Sequence, residues 1–153
     1  PCRIVRHRAQ QASITIETHL PKPAVSLMAD ERALKQILIN LVSNAVKFSN
    51  DCGTVSVDCS VGPAGLCIAV IDRGIGIAED DIPKALSPFT QLDGTLSRAH
   101  EGTGLGLPLA KHMTELHGGN LRIESKPGEG TTVFVELPAS RLISQKPGLF
   151  AIS

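Results

Sequence analysis

The chain has 153 residues, 42% of them hydrophobic, which suits one domain with a substantial core and leaves no room for several. Fifteen basic and fifteen acidic side chains balance to zero, so neither a nucleic-acid partner nor contact with an acidic membrane surface is indicated. No apolar run approaches the ~20 residues that span a bilayer, no signal peptide is evident, and Cys2, Cys52, Cys59 and Cys67 lack C-x-x-C spacing and His pairing. That usage argues against zinc and against a disulfide framework, and it fits a reducing cytoplasm.

The basic run Arg3–Arg8, which includes His7, reads as part of an amphipathic first helix. Ser13–Glu17 and Val25–Met28 read as short strands. A long helix follows, with Asp30 as its N-cap and Leu34, Ile37, Leu38, Leu41, Val42, Ala45 and Phe48 recurring at three- and four-residue steps. A second stripe on that helix carries Asn40, Asn44 and Lys47, which project from neighbouring turns toward one line in space. Two amides and an ammonium so placed can address a metal ion and a string of phosphates. Mg²⁺ takes oxygen ligands and keeps several waters, and Lys47 supplies a point charge. A solvated helix face accounts for the same stripe equally well.

Thr54–Val61 and Leu66–Ile71 form a hairpin across Gly62–Gly65. Cys59 alternates with Val55, Val57 and Val61 and reads as a small buried hydrophobe. Asp72 ends the second strand, and Gly74 and Gly76 let the backbone turn tightly and approach a flat ligand. A carboxylate there can accept a hydrogen bond from the exocyclic amine of adenine, worth about 1.5–3 kcal/mol. Guanine carries a carbonyl at that position and would be rejected. An Asp-Gly turn without a ligand is the competing reading.

After the polar stretch Gln91–Glu101 comes Gly102-Thr-Gly-Leu-Gly-Leu107, running into a helix over Pro108–His117 that ends at Gly118-Gly119. Backbone N–H groups at a helix start attract anions. A dinucleotide-binding turn requires G-x-G-x-x-G directly after a strand. Here the glycines alternate and follow a polar stretch, so that reading fails. A second hairpin, Asn120–Ser125 with Thr131–Leu137, crosses Pro127–Gly130. The segment Ala139–Ser153 loses periodicity and reads as a mobile tail or linker.

These segments resemble, in order, the N box (Asn40–Phe48), G1 box (Asp72-x-Gly74-x-Gly76), F box (Pro88-Phe-Thr-Gln91), G2 box (Gly102–Leu107) and terminal Gly-x-Gly-Thr (Gly128–Thr131) of a known domain. That domain is the catalytic and ATP-binding domain of bacterial two-component sensor histidine kinases, in the GHKL ATPase superfamily. The resemblance covers roughly residues 1–138. It implies a two-layer α/β (α+β) sandwich, with a mixed sheet covered on one face by about three helices and a mobile ATP lid from about Leu86 to Gly106. It also implies that Asn44 is the Mg²⁺ ligand with Asn40 beside it, and that Lys47 contacts the phosphates of ATP. Asp72 would read the adenine amine, helped by Thr131 through water. Gly74 and Gly76 would shape the base pocket and Ile77 would pack near the ring. Phe89 would anchor one end of the lid, Arg98 would be a weaker phosphate contact, and Gly102, Gly104, Leu105, Gly106 and Leu107 would form the phosphate cradle. The P-F-T-Q and G-L-G-L-P-L segments are similar to those of alphaproteobacterial cell-cycle sensor kinases.

Superfamily branches that hydrolyse ATP place a Glu where Asn40 stands, and an amide is a poor general base. The expectation is therefore γ-phosphoryl transfer to a histidine on a separate dimerisation and phosphotransfer domain, with a response regulator engaged indirectly. His7, His19, His100, His112 and His117 are scattered, and none lies in an acceptor-like block. The chain thus reads as a cytoplasmic, monomeric catalytic piece of a longer kinase, compatible with a membrane anchor elsewhere, that binds ATP and ADP but does not autophosphorylate alone. The alternative is a signalling scaffold with a degenerate pocket, acting by protein docking. A stand-alone serine kinase of the anti-sigma type fits the N box and the P-F-x-Q segment less well.

Overall fold

The computed structural model describes residues 13–21, 26–50, 52–87 and 106–143. The Arg3–Arg8 segment lies outside them. In chain order the elements are β1 (Thr15–His19), β2 (Ser26–Leu27), α1 (Glu31–Phe48), β3 (Thr54–Gly62), β4 (Gly65–Asp72), α2 (Ile82–Ala85), α3 (Gly106–Leu116), β5 (Asn120–Lys126), β6 (Gly130–Pro138) and β7 (Leu142–Ile143). Five strands form one mixed sheet in the order β1-β3-β4-β6-β5. The β1–β3 pair is parallel and the other three pairs are antiparallel.

Helix α1 starts where the sequence signals it. The Asp30 carboxylate accepts the N–H groups of Arg32 at 2.9 Å and Ala33 at 3.3 Å, satisfying two donors of the first turn. Its buried face carries Leu34, Ile37, Leu41, Ala45 and Val46. Against it lies one face of the sheet: Val55, then Leu66, Ile68 and Val70, then Val133, Val135 and Leu137, then Leu121. The register explains this layer, because Ile68 sits opposite Val135 and Val70 opposite Val133, while Val135 sits opposite Leu121. Cys59 shares this face opposite Ile68, half-buried and packed on the core, and burial pushes its thiol pKa up. Helix α3 packs beside α1 through Ala110, which is fully buried with Thr114. The Thr114 hydroxyl is satisfied by donating to the Ala110 carbonyl at 2.7 Å. The opposite sheet face mixes Cys67, Ala69, Ile71 and Phe134 with polar residues, and the Arg122 guanidinium lies 3.8 Å from the Phe134 ring centroid while pairing with Glu124 and Glu136.

Two sequence expectations change. The expected Val25–Met28 strand is the shorter β2, and it pairs with β7 in a separate two-stranded ribbon rather than in the main sheet. Structure also continues beyond 138. A 3₁₀ turn at Ala139–Arg141 leads into β7, and Arg141 donates to the carbonyls of His117 at 3.1 Å and Met28 at 3.2 Å. The first five residues of the expected tail therefore belong to the fold. They have no periodic apolar pattern because backbone pairing and one guanidinium hold them.

Candidate functional site

The core-facing row of the sheet runs past the apolar layer and ends in polar residues. Asp72 on β4 is opposite Thr131 on β6, and Thr131 is opposite Ser125 on β5. Side-chain alternation keeps these three on the face that Val70, Val133 and Ile123 occupy one step inward. Asp72 and Thr131 are each only 8% exposed. Asp72 Oδ1 accepts the Gly74 N–H at 2.9 Å and the Thr131 N–H at 3.3 Å. Burial pushes the Asp72 carboxyl pKa upward, and the two backbone donors only partly oppose this. Among the described residues Oδ2 receives no hydrogen bond, so it is the oxygen available to a ligand.

The loop after Asp72 is clamped from both sides. Ile75 N–H donates to the Phe48 carbonyl at 3.2 Å, and the Asn50 amide donates to the Arg73 carbonyl at 3.0 Å, tying the loop to the end of α1. Gly128 N–H donates to the Ile75 carbonyl at 2.8 Å from the β5–β6 turn. This close approach explains the glycines. A Cβ on Gly74 would strike the Phe48 carbonyl oxygen, and Gly76, at φ +71°, faces the Lys126 carbonyl oxygen. Ile77 is fixed by its N–H, which donates to Ser125 Oγ at 2.7 Å.

On α1, Asn40, Asn44 and Lys47 are all half-buried, which disfavours a solvated face for that stripe. The Asn44 amide lies against the start of α3, where a Cβ built on Gly106 would sit 3.5 Å from its Nδ2 and 3.8 Å from its Oδ1. Leu107 packs against the core beside it. Asn40 Oδ1 accepts from Gln36 Nε2 at 2.9 Å, and its Nδ2 is buried with no hydrogen-bond partner among the described residues. A buried orphan donor is costly unless a ligand or water receives it. Lys47 Nζ lies 5.4 Å from the Phe48 ring centroid on the last turn. Phe89, Arg98, Gly102, Gly104 and Leu105 lie outside the described residues.

The fold therefore joins two clusters: a buried carboxylate floor at Asp72, Thr131 and Ser125, and an amide pair whose Asn44 meets Gly106. The end of α1 and the clamped loop connect them. Among the described residues no three His, Cys, Asp or Glu side chains gather into a metal cage. A cation here would be held by the Asn44 amide oxygen together with oxygens of a bound phosphate. That partial oxygen set suits Mg²⁺, which is seldom caged by protein alone. Ser125 and Gln36 escaped the sequence reading. The signals were present: Ser125 shares the parity of Leu121 and Ile123, and Gln36 precedes Asn40 by one helical turn.

Comparisons with known proteins give the relatives of this chain. The family model described as histidine kinase-, DNA gyrase B- and HSP90-like ATPase matches residues 29–141. The chain is 43% identical over 136 residues to the histidine protein kinase DivJ of Caulobacter vibrioides, covering 89% of this chain and 23% of that protein. It is 43% identical over 140 residues to the non-motile and phage-resistance protein of the same organism, covering 89% of this chain and 16% of that one. Among solved structures, full-length ShkA in complex with AMPPNP superposes with a TM-score of 0.78 at 30% identity, over 90% of this chain and 28% of ShkA. The chain thus spans less than a third of the length of each of these proteins.

Proposed function

This chain belongs to the family of histidine kinase-, DNA gyrase B- and HSP90-like ATPases, and from that membership we propose that it binds Mg-ATP and donates the γ-phosphate to a histidine on a separate dimerisation and phosphotransfer domain. The observation that carries the reading is the buried Asp72 carboxylate, held through Oδ1 with Oδ2 left to a ligand at the edge of the core. A buried acceptor at the end of a strand is matched by the amine of adenine. The clamped Gly74–Ile77 loop gives the flat ring a close backbone surface.

Asn44 would hold the cation, which when bound neutralises charge on the phosphates. Lys47 would pair with a phosphate oxygen, and the Asn40 N–H₂, which has no partner among the described residues, would donate to another. In the transfer step an imidazole nitrogen attacks the γ-phosphorus in line, the bond to the bridging oxygen breaks, and ADP leaves. This chain contributes position and charge stabilisation to that step. Asn40 is an amide and does not abstract a proton from water near neutral pH, so slow hydrolysis accompanies transfer. DivJ is named a histidine protein kinase and ShkA was solved with an ATP analogue, which supports the same reading.

The test is calorimetric titration with ATP, ADP and GTP, with and without Mg²⁺, of the wild-type chain and of Asp72→Asn. Adenine-selective binding that weakens in Asp72→Asn, followed by phosphate transfer to a separately expressed acceptor domain, supports the kinase. A folded chain that does not bind millimolar ATP points instead to a docking scaffold.

A further inference from the structure

Three groups converge on one oxygen atom at the floor of the site. Ser125 Oγ lies 2.8 Å from the Gly130 carbonyl oxygen, 2.7 Å from the Ile77 nitrogen and 2.7 Å from Thr131 Oγ1. A serine hydroxyl has one proton and two lone pairs. A carbonyl can only accept, so the serine proton points at Gly130. A backbone N–H can only donate, so Ile77 fills one lone pair. The third contact still needs a hydrogen, and the one remaining belongs to Thr131. Thr131 therefore donates to Ser125 and fills the second lone pair. Its own oxygen keeps lone pairs and no free proton. That oxygen belongs to the cross-strand neighbour of Asp72, whose Oδ2 is likewise an acceptor.

We propose that Ser125 is a specificity-positioning residue: by holding the Thr131 proton it makes Thr131 an acceptor-only group beside Asp72, so the floor takes a purine with an amine at this edge and rejects one with a carbonyl. The proposal rests on the adenine reading of this pocket. An exocyclic amine brings two donors to two acceptors, directly or through one water. A carbonyl brings a third acceptor, and sites built for N–H groups discriminate strongly against such ligands. Freed from Ser125, the Thr131 hydroxyl can rotate and donate to a carbonyl, so discrimination falls.

The experiment measures the affinity of the 153-residue chain for ATP and for inosine triphosphate, whose edge carries a carbonyl in place of the amine and an N–H in place of the bare ring nitrogen beside it. In Ser125→Ala the ratio of the two affinities should fall by about tenfold, with ATP itself weakened less. Ser125→Thr, which keeps the hydroxyl, should restore the ratio. Thr131→Val, which keeps shape and loses the acceptor, should also lower the ratio. Ser125→Ala added to it should lower the ratio no further. A wild-type ratio in folded Ser125→Ala overturns the proposal. If that variant does not fold, a wild-type ratio in Thr131→Val overturns it instead. ATP binding that is absent in the wild type, or unchanged in Asp72→Asn, sinks the adenine reading and this proposal with it. Asp72-dependent ATP binding with an unaltered ratio sinks only the role of Ser125.

Discussion

Asp72 and Thr131 stand 59 residues apart in the chain, yet the Asp72 carboxylate accepts the Thr131 backbone N–H at 3.3 Å as its partner across two antiparallel strands. That bond and the one from Gly74 hold the carboxylate in a place where burial still raises its pKa. On the proposed adenine contact, function and stability would therefore pull against each other at this residue. The folded state holds the Asp72 proton more tightly than the unfolded chain does. Its charged form accordingly weakens the fold at neutral pH, and the penalty is relieved as pH falls through the raised folded pKa toward the ordinary carboxylate range. Asp72→Asn keeps an oxygen for both backbone donors. Its thermal midpoint should equal or exceed that of the wild type by calorimetry, while ATP affinity drops about ten- to a hundredfold.

If Asp72 holds the adenine amine as proposed, the same shift should set a pH dependence of binding. As Asp72 takes up a proton its hydrogen bond to the amine loses its charge, so ATP affinity should decline on acidification, beginning above the ordinary carboxylate range. The nucleotide's own phosphates also titrate. Titration calorimetry across this range should show the extra decline in the wild type and only the nucleotide's share in Asp72→Asn.

Gly74 and Gly128 make a matched pair of substitutions. Ala at Gly74 drives a methyl into the Phe48 carbonyl oxygen, the same oxygen that receives the Ile75 N–H. Urea unfolding should report a loss of about 1–3 kcal/mol. Gly128 has φ +79° with no atom within 4 Å of a built Cβ, and Asn tolerates that backbone region. Gly128→Asn should change stability by less than about 1 kcal/mol.

Asn44 should govern the cation response. In the wild type Mg²⁺ is expected to strengthen ATP binding, because one amide oxygen and the phosphates share the ion. In Asn44→Ala the ratio of affinities with and without Mg²⁺ should fall toward one, with the fold intact by circular dichroism. An unchanged ratio would remove Asn44 as the ligand.

His117 joins α3 to α1. Its Nε2 accepts the Asp30 N–H at 3.1 Å, so its Nδ1 carries the proton donated to the Met113 carbonyl at 2.8 Å. His117→Ala leaves the Asp30 N–H without that acceptor and should destabilise the chain by about 1–3 kcal/mol in urea unfolding. ATP affinity should be unchanged, since the link lies at the opposite end of α1 from Lys47.

Much of the fold was legible because it is written in local periodicity. The Asp30 cap, the apolar face of α1 and both hairpins, with Pro63 and Ala64 in the first turn, stand where alternation and turn chemistry put them. A strand near β2 was legible, but β7 and its pairing with β2 were not, because two-residue strands carry no period and are held by backbone bonds and Arg141.

The sequence alone determined which residue types the site could use: a carboxylate at a strand end, amides one helical turn apart, and glycines where backbone must approach backbone. Those choices are local, set by spacing and by the absence of side chains. Tertiary structure alone decided how the residues are wired. Strand register placed Thr131 on Asp72 and Ser125 on Thr131, and helix packing set Asn44 against Gly106. Whether a hydroxyl donates or accepts depends on every neighbour it meets, and those neighbours come from distant parts of the chain.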